Sequence, residues 1–272
     1  MNIRRDFIDT PQGQLHVVTA GPAAETAMPL VMIPQMSALE QVRLMVALGE
    51  RPTIAIDPLG LGDSDPVPWS QPTMADYAGV LLTALSALKI ERFDLYGSHF
   101  GARAATEMAV LAPKRVRRLI LDGAGHMDAA QREDLAKNYV PPIAVDQHGS
   151  QIRWSWHFVR DSFLYWPYFR REAKNSRIVG LPSAEALHDR TVHALKNVRS
   201  LDKNFRAAFE YPTDEKLPQV ACPTLLGRLD AACAALIPKT VQTDHDFYDS
   251  AESDDAAVDA WASSIASFLD NS

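Results

Sequence analysis

Polar and apolar positions alternate over residues 5–10 and again over 14–20, with Pro11-Gln12-Gly13 between them. This pattern predicts an antiparallel hairpin. Beyond it the period changes. Residues 30–33, 53–56, 93–97, 116–121 and 224–226 are short apolar runs of the kind that form parallel strands covered on both faces. Helical periodicity separates the first four of them, over 38–48, 73–88 and the alanine-rich run 102–111. Thr73 with Asp76 three residues on predicts a capping box at the start of the second helix. From 126 to 217 the strand pattern stops, and Trp154, Trp156, Phe158, Phe163, Tyr165, Trp166, Tyr168 and Phe169 crowd helix-compatible sequence. A weaker strand follows at 239–242. In the last helix, beginning near Asp254, Val258, Trp261, Ile265 and Phe268 share one face that would pack on a sheet. Alternating strand and helix with a helical insertion predicts an α/β fold with a mostly parallel sheet flanked by helices. Its core domain takes in residues 1–125 and 218–272, and a helical cap takes in 126–217.

Composition narrows the class of partner. The 272 residues are 47% hydrophobic, enough for a large core, and the net charge of -7 excludes a general binder of nucleic acid. A small molecule is the expected partner, with no nucleic acid and no membrane, and a homodimer is left open. Only Cys222 and Cys233 are present, and residues 1–21 lack the basic start and apolar run of a signal peptide, which points to a reduced, cytoplasmic setting. His148, His188 and His193 show no metal-ligand spacing with one another or with the cysteines, so neither a metal nor a cofactor is expected.

The candidate chemistry gathers at Tyr96-Gly97-Ser98-His99-Phe100-Gly101, a strand end and a sharp turn running into the alanine-rich helix. The spacing Gly-x-His-x-Gly is that of a nucleophile elbow with histidine where serine usually stands. Together with Ile56-Asp57-Pro58-Leu59-Gly60-Leu61-Gly62-Asp63-Ser64, Arg118-Leu119-Ile120-Leu121-Asp122 and Pro223-Thr224-Leu225-Leu226-Gly227, it resembles the α/β-hydrolase superfamily in order and interval.

The resemblance implies a nucleophile at His99, an acid at Asp230 with Asp122 as the alternative, and a histidine at His245. It also implies an oxyanion site at the backbone N–H groups of Met36 and Phe100. The stretch between Asp230 and His245 is short for the crossover the fold requires there. Gln35, where the family has glycine, either pins the loop or reaches into the site. Gln35, Trp154, His157, Tyr165 and Trp166 are the expected substrate contacts. Cap aromatics at this spacing are mostly core, and Arg153, Arg160, Arg170 and Arg171 read as a solvated face. Gly62-Asp63-Ser64 reads as a loop, and His126 as incidental.

Neutral imidazole carries an exposed lone pair near neutral pH and needs no activating base. With this residue at the elbow, the resemblance implies cofactor-independent hydrolysis of an ester, a thioester or an activated carbon–carbon bond in a small aromatic or apolar substrate. Two readings stand beside it. In one, a lyase or decarboxylase uses His99 as acid or base. In the other, the protein only binds, having kept His99 at a strained turn.

Overall fold

The computed structural model describes residues 2–22, 27–177, 180–227, 231–242 and 255–270. The predicted hairpin is β1 (Arg4–Thr10) paired antiparallel with β2 (Gly13–Ala20), and β2 continues antiparallel onto β4 (Thr53–Ile56). From there the sheet is parallel, through β3 (Leu30–Ile33), β5 (Phe93–Ser98), β6 (Val116–Asp122), β7 (Thr224–Leu226) and β8 (Thr240–Gln242). The order is β1-β2-β4-β3-β5-β6-β7-β8.

Apolar side chains leave both faces of the sheet. One face meets α1 (Val42–Ala47) and α10 (Asp255–Asp270), where Val258, Trp261, Ile265 and Phe268 are buried as their spacing predicts. Each such side chain contributes about 2 kcal/mol relative to exposure, so packing holds α10 in place. The other face meets α2 (Met74–Ala87) and α3 (Phe100–Leu111). The capping box of α2 is present: Asp76 Oδ2 accepts from the Thr73 N–H at 2.7 Å. The helix expected over 38–48 opens instead as a 3-10 turn, Ala38–Gln41, with Ser37 and Glu40 closed in a capping box, and continues as α1.

Between β6 and β7 the chain builds α4 (Ala129–Asn138), α5 (Ser150–Leu164), α6 (Ala184–Lys196), α7 (Leu201–Glu210) and α8 (Thr213–Lys216), and it adds no strand to the sheet. After β7 a single turn, α9 (Ala231–Ala234), precedes β8, so the short crossover still closes a parallel pair. Among the described residues, no helix is long and apolar enough to cross a membrane.

Asp57 ties the loops above β4 together. It is fully buried and takes hydrogen bonds from His16 Nδ1 at 2.7 Å, from the Asp63 N–H at 3.0 Å and from the Ala38 N–H. Burial pushes its carboxyl above the ordinary range, and those three donors pull the other way. Ser64 Oγ donates to the Asp57 carbonyl and accepts from the His16 N–H, so Gly62-Asp63-Ser64 is a bonded loop. Helix α6 is fastened to the same loop, through Asn197 Nδ2 to the Gly62 carbonyl at 3.2 Å and through Lys196 to Asp63.

Candidate active site

Strand β5 ends at Ser98, and α3 begins at Phe100. His99 alone makes the turn, at φ +50° and ψ -103°. Only two described residues other than glycine have positive φ, His99 and Lys89. The flanking glycines have a steric reason: a Cβ on Gly101 would overlap the Ile33 carbonyl, and one on Gly97 would overlap the carbonyl of Gly101. The helix can therefore start directly against β3 and β5. The His99 N–H donates to the Asp122 carbonyl at 2.8 Å, and Arg103 donates to the His99 carbonyl at 3.0 Å. Gly123 lies against the imidazole, where a Cβ would come within 2.5 Å of Nδ1.

His99 faces a cavity of about 490 Å³ between the sheet and the helices of the insertion. Its walls are aromatic. Tyr139 packs on Phe209, Phe205 and Phe158 at ring-centroid separations of 4.9, 5.2 and 6.0 Å, and Trp166, 48% exposed, stands beside them. Gln35, Met36 and Phe100 also line the cavity; Trp154, His157 and Tyr165 do not. Trp154 stacks on Phe158, His157 is half-buried on α5, and Tyr165 caps that helix and bridges to Ser176. Gln35 needs no positive φ, so the loop accommodates its side chain without strain. Ser98 lies outside the cavity, buried beside Gln41 Nε2 at 3.4 Å.

Asp230 and His245 lie outside the described residues. Asp122 is described. It is buried at the end of β6 and accepts a hydrogen bond from Tyr96 Oη at 2.7 Å. Burial, and then this carboxylate, push the tyrosine hydroxyl far above its ordinary value.

Several cavity residues had no clear signature in the sequence. Arg103, Arg177 and Arg190 line it, whereas Arg160 and Arg171 embrace the buried Asp161 and Arg170 pairs with Asp134. Arg190 stacks over Phe163 at 5.1 Å, and Arg177 donates to the Ser162 carbonyl at 2.6 Å. Glu40 is legible in hindsight, since Ser37-x-x-Glu40 is a capping-box pattern. Its Oε2 accepts from the Met36 N–H at 3.3 Å and the Ser37 N–H at 3.4 Å, so a carboxylate occupies one of the two predicted oxyanion donors. The Phe100 N–H is in the first turn of α3, where helical N–H groups have no intrahelical acceptor. His126 lines the cavity as well, with Nδ1 2.8 Å from Asp214 Oδ1.

Burial alone would raise the Glu40 carboxyl, but His193 at 3.8 Å, Arg190 and the Met36 N–H together hold it below its ordinary 4.5. A carboxyl depressed by folding stabilises fully above the unfolded value and loses that contribution as pH falls through the folded one. Urea midpoints of native protein and Glu40→Gln are expected to differ steadily at neutral pH and to converge only as pH falls below the ordinary carboxyl value of 4.5. A difference that stayed constant through that fall would contradict the pairing.

The family model described as alpha/beta hydrolase fold matches residues 29–215. A 2-hydroxymuconate semialdehyde hydrolase of Pseudomonas sp. (strain CF600) is 36% identical over 124 residues, which is 43% of this chain and 44% of that protein. A 2-hydroxy-6-oxononadienedioate/2-hydroxy-6-oxononatrienedioate hydrolase of Paraburkholderia xenovorans (strain LB400) is 37% identical over 120 residues, 41% and 40% of the two chains. The match thus spans less than half the length of these curated relatives. The solved enol-lactonase of Burkholderia xenovorans LB400 superposes with a TM-score of 0.72 at 18% identity, over 98% of this chain and 100% of that one, which is a likeness of fold.

Proposed function

The chain belongs to the α/β hydrolase fold family, and on that premise we propose that it is a cofactor-independent hydrolase of a small, anionic, largely apolar carbonyl compound. The scissile bond is an ester, a thioester or an activated carbon–carbon bond, and His99 stands in the nucleophile's place. The observation that carries this reading is His99 at the turn of the elbow, facing a cavity with aromatic walls and the guanidinium groups of Arg177 and Arg190. Guanidinium matches a carboxylate in charge and geometry. The two relatives are named for 2-hydroxymuconate semialdehyde and for 2-hydroxy-6-oxo dienedioates, small unsaturated oxo acids that fit such a lining.

In this mechanism the neutral His99 imidazole attacks the carbonyl carbon and the leaving group departs with the bonding electrons. Water then hydrolyses the acyl-imidazole. The Phe100 N–H faces the developing oxyanion. Arg177 and Arg190 hold the distal carboxylate in the cavity. Arg190→Gln is expected to raise KM for a carboxylate substrate about tenfold while leaving kcat within a factor of two, as for lost uniform binding. Methyl esterification of that carboxylate should erase the difference. An equal effect on acid and methyl ester would refute the role.

A second reading follows from Glu40. With its carboxylate on the Met36 N–H, the site is short of one oxyanion donor and better suited to proton transfer, with His99 as acid or base. Turnover of a panel of aryl esters, thioesters and 2-hydroxy-6-oxo dienoates in ¹⁸O-labelled water separates the two. Hydrolysis places the label in the acid product, and a lyase leaves its product unlabelled. Tight binding of the whole panel without turnover would sink both.

A further inference from the structure

His126 and Asp214 come from opposite ends of the insertion, 88 residues apart in sequence, and meet at the cavity. His126 follows β6 after Gly123-Ala124-Gly125; Asp214 sits on α8, shortly before the chain returns to β7. The bond from Nδ1 to Asp214 Oδ1 is 2.8 Å, and Arg132 lies 3.9 Å from the other carboxylate oxygen. Arg103 is a further charged group on this side, its guanidinium close to Gly125, and Asp128, Glu215 and Lys216 are neighbours of the pair along the chain. The side chains of His126 and Asp214 are 44% and 37% exposed, and an ion pair this wet adds at most about 1 kcal/mol to stability. What the carboxylate does is orient the ring. It keeps a proton on Nδ1 and leaves Nε2 as the atom that exchanges protons.

We propose that His126, held by Asp214, is the proton-transfer residue for the leaving group. The role rests on the hydrolytic reading above and extends it to a residue of the insertion. As His99 bonds to the carbonyl carbon, the bond to the leaving group breaks and its electron pair departs with that group. The group takes the proton from Nε2 of the His126 imidazolium. Water then attacks the acyl-imidazolium, an acyl group activated enough to need no base, the carbon–nitrogen bond breaks back to neutral His99, and the proton lost by water passes to solvent, from which His126 Nε2 is reprotonated. The sum is substrate plus water to acid plus protonated leaving group. Asp214 holds the Nδ1 proton in place and stabilises the imidazolium whenever Nε2 is protonated.

This assignment makes the need for His126 depend on the leaving group. A 4-nitrophenolate departs unaided, whereas an alkoxide of the same acid does not. His126→Gln is expected to lower kcat for the alkyl ester by about 100-fold, with KM within about twofold, and for the 4-nitrophenyl ester by no more than about threefold. Asp214→Asn should show the same selectivity at smaller amplitude. Equal losses on the two esters would overturn the proposal, because a structural role does not distinguish leaving groups. A second measurement needs no turnover. In protein labelled with ¹⁵N-histidine, the His126 Nε2 resonance, assigned by its absence from His126→Gln, should shift when phenylacetate fills the cavity. An unmoved resonance overturns the proposal even if both esters are hydrolysed. If the native protein cleaves neither ester and the resonance moves, hydrolysis alone is refuted and the placement of His126 against the ligand stands.

Discussion

His99→Ala is expected to lower kcat by roughly 10⁴-fold, as removal of a group that acts in the covalent step does, while leaving the thermal transition cooperative. His99 is the one residue between β5 and α3, and Ser98 lies buried outside the cavity. Ser98→Ala should therefore keep activity within about tenfold of the native value, since it removes contacts to Gln41 and to the buried Tyr96 hydroxyl and none in the cavity. If Ser98→Ala were dead and His99→Ala active, the nucleophile would be the serine. The backbone gives a second, opposite expectation. At φ +50° and ψ -103°, His99 sits where a side chain costs about 1–3 kcal/mol. His99→Gly should be as inactive as the alanine variant yet more stable by about 1 kcal/mol, measured as a shift in the urea midpoint. A destabilised glycine variant would show that the imidazole holds the elbow together.

Asp57→Ala is expected to cost about 3–5 kcal/mol, near 10 °C in Tm for a domain of this size. The carboxylate is fully buried and serves three donors, so its removal orphans His16, which is itself 2% exposed, and two backbone N–H groups. One of those is the Ala38 N–H, directly after the loop that carries Gln35 and Met36. Activity should fall with stability because that loop lines the cavity. The double variant Asp57→Ala/His16→Ala is expected to cost less than the sum of the single changes, since each already breaks the same pair. Additive losses by thermal melting would mean that the two residues act independently.

Much of the fold was legible because its signals are local. Apolar runs of four residues gave the inner strands, and Thr73 and Asp76 gave the start of α2. The four-residue spacing of Trp261 and Ile265 gave the buried face of α10. The elbow was legible for the same reason, since Gly97 and Gly101 answer to close backbone approach a few residues away. Pairings that depend on long-range packing were not. Nothing in the residues around Arg190 or Arg171 shows that the first lines the cavity and the second clasps Asp161. The aromatic rings of α5 divide in the same way, with Phe158 against the cavity and Trp154 stacked behind it. His126 and Asp214 could not be paired from sequence, because the path of the insertion alone brings them together.

The sheet order carries a consequence for how the chain assembles. Strands β1 to β6 pair among themselves using only residues that precede the insertion. The next addition, β7 onto β6, matches Leu119 with Thr224 and must close a loop of about a hundred residues, at an entropic cost on the order of 4 kcal/mol. A chain emerging from the ribosome can thus build six strands early and must wait for the whole insertion before β7, β8 and α10 can dock. Until they do, one face of the young sheet lacks its α10 cover, with Tyr96, Ile120 and Met32 exposed to neighbouring chains. Nascent protein stalled before residue 224 is the form in which this molecule should be most prone to aggregate and most dependent on chaperones.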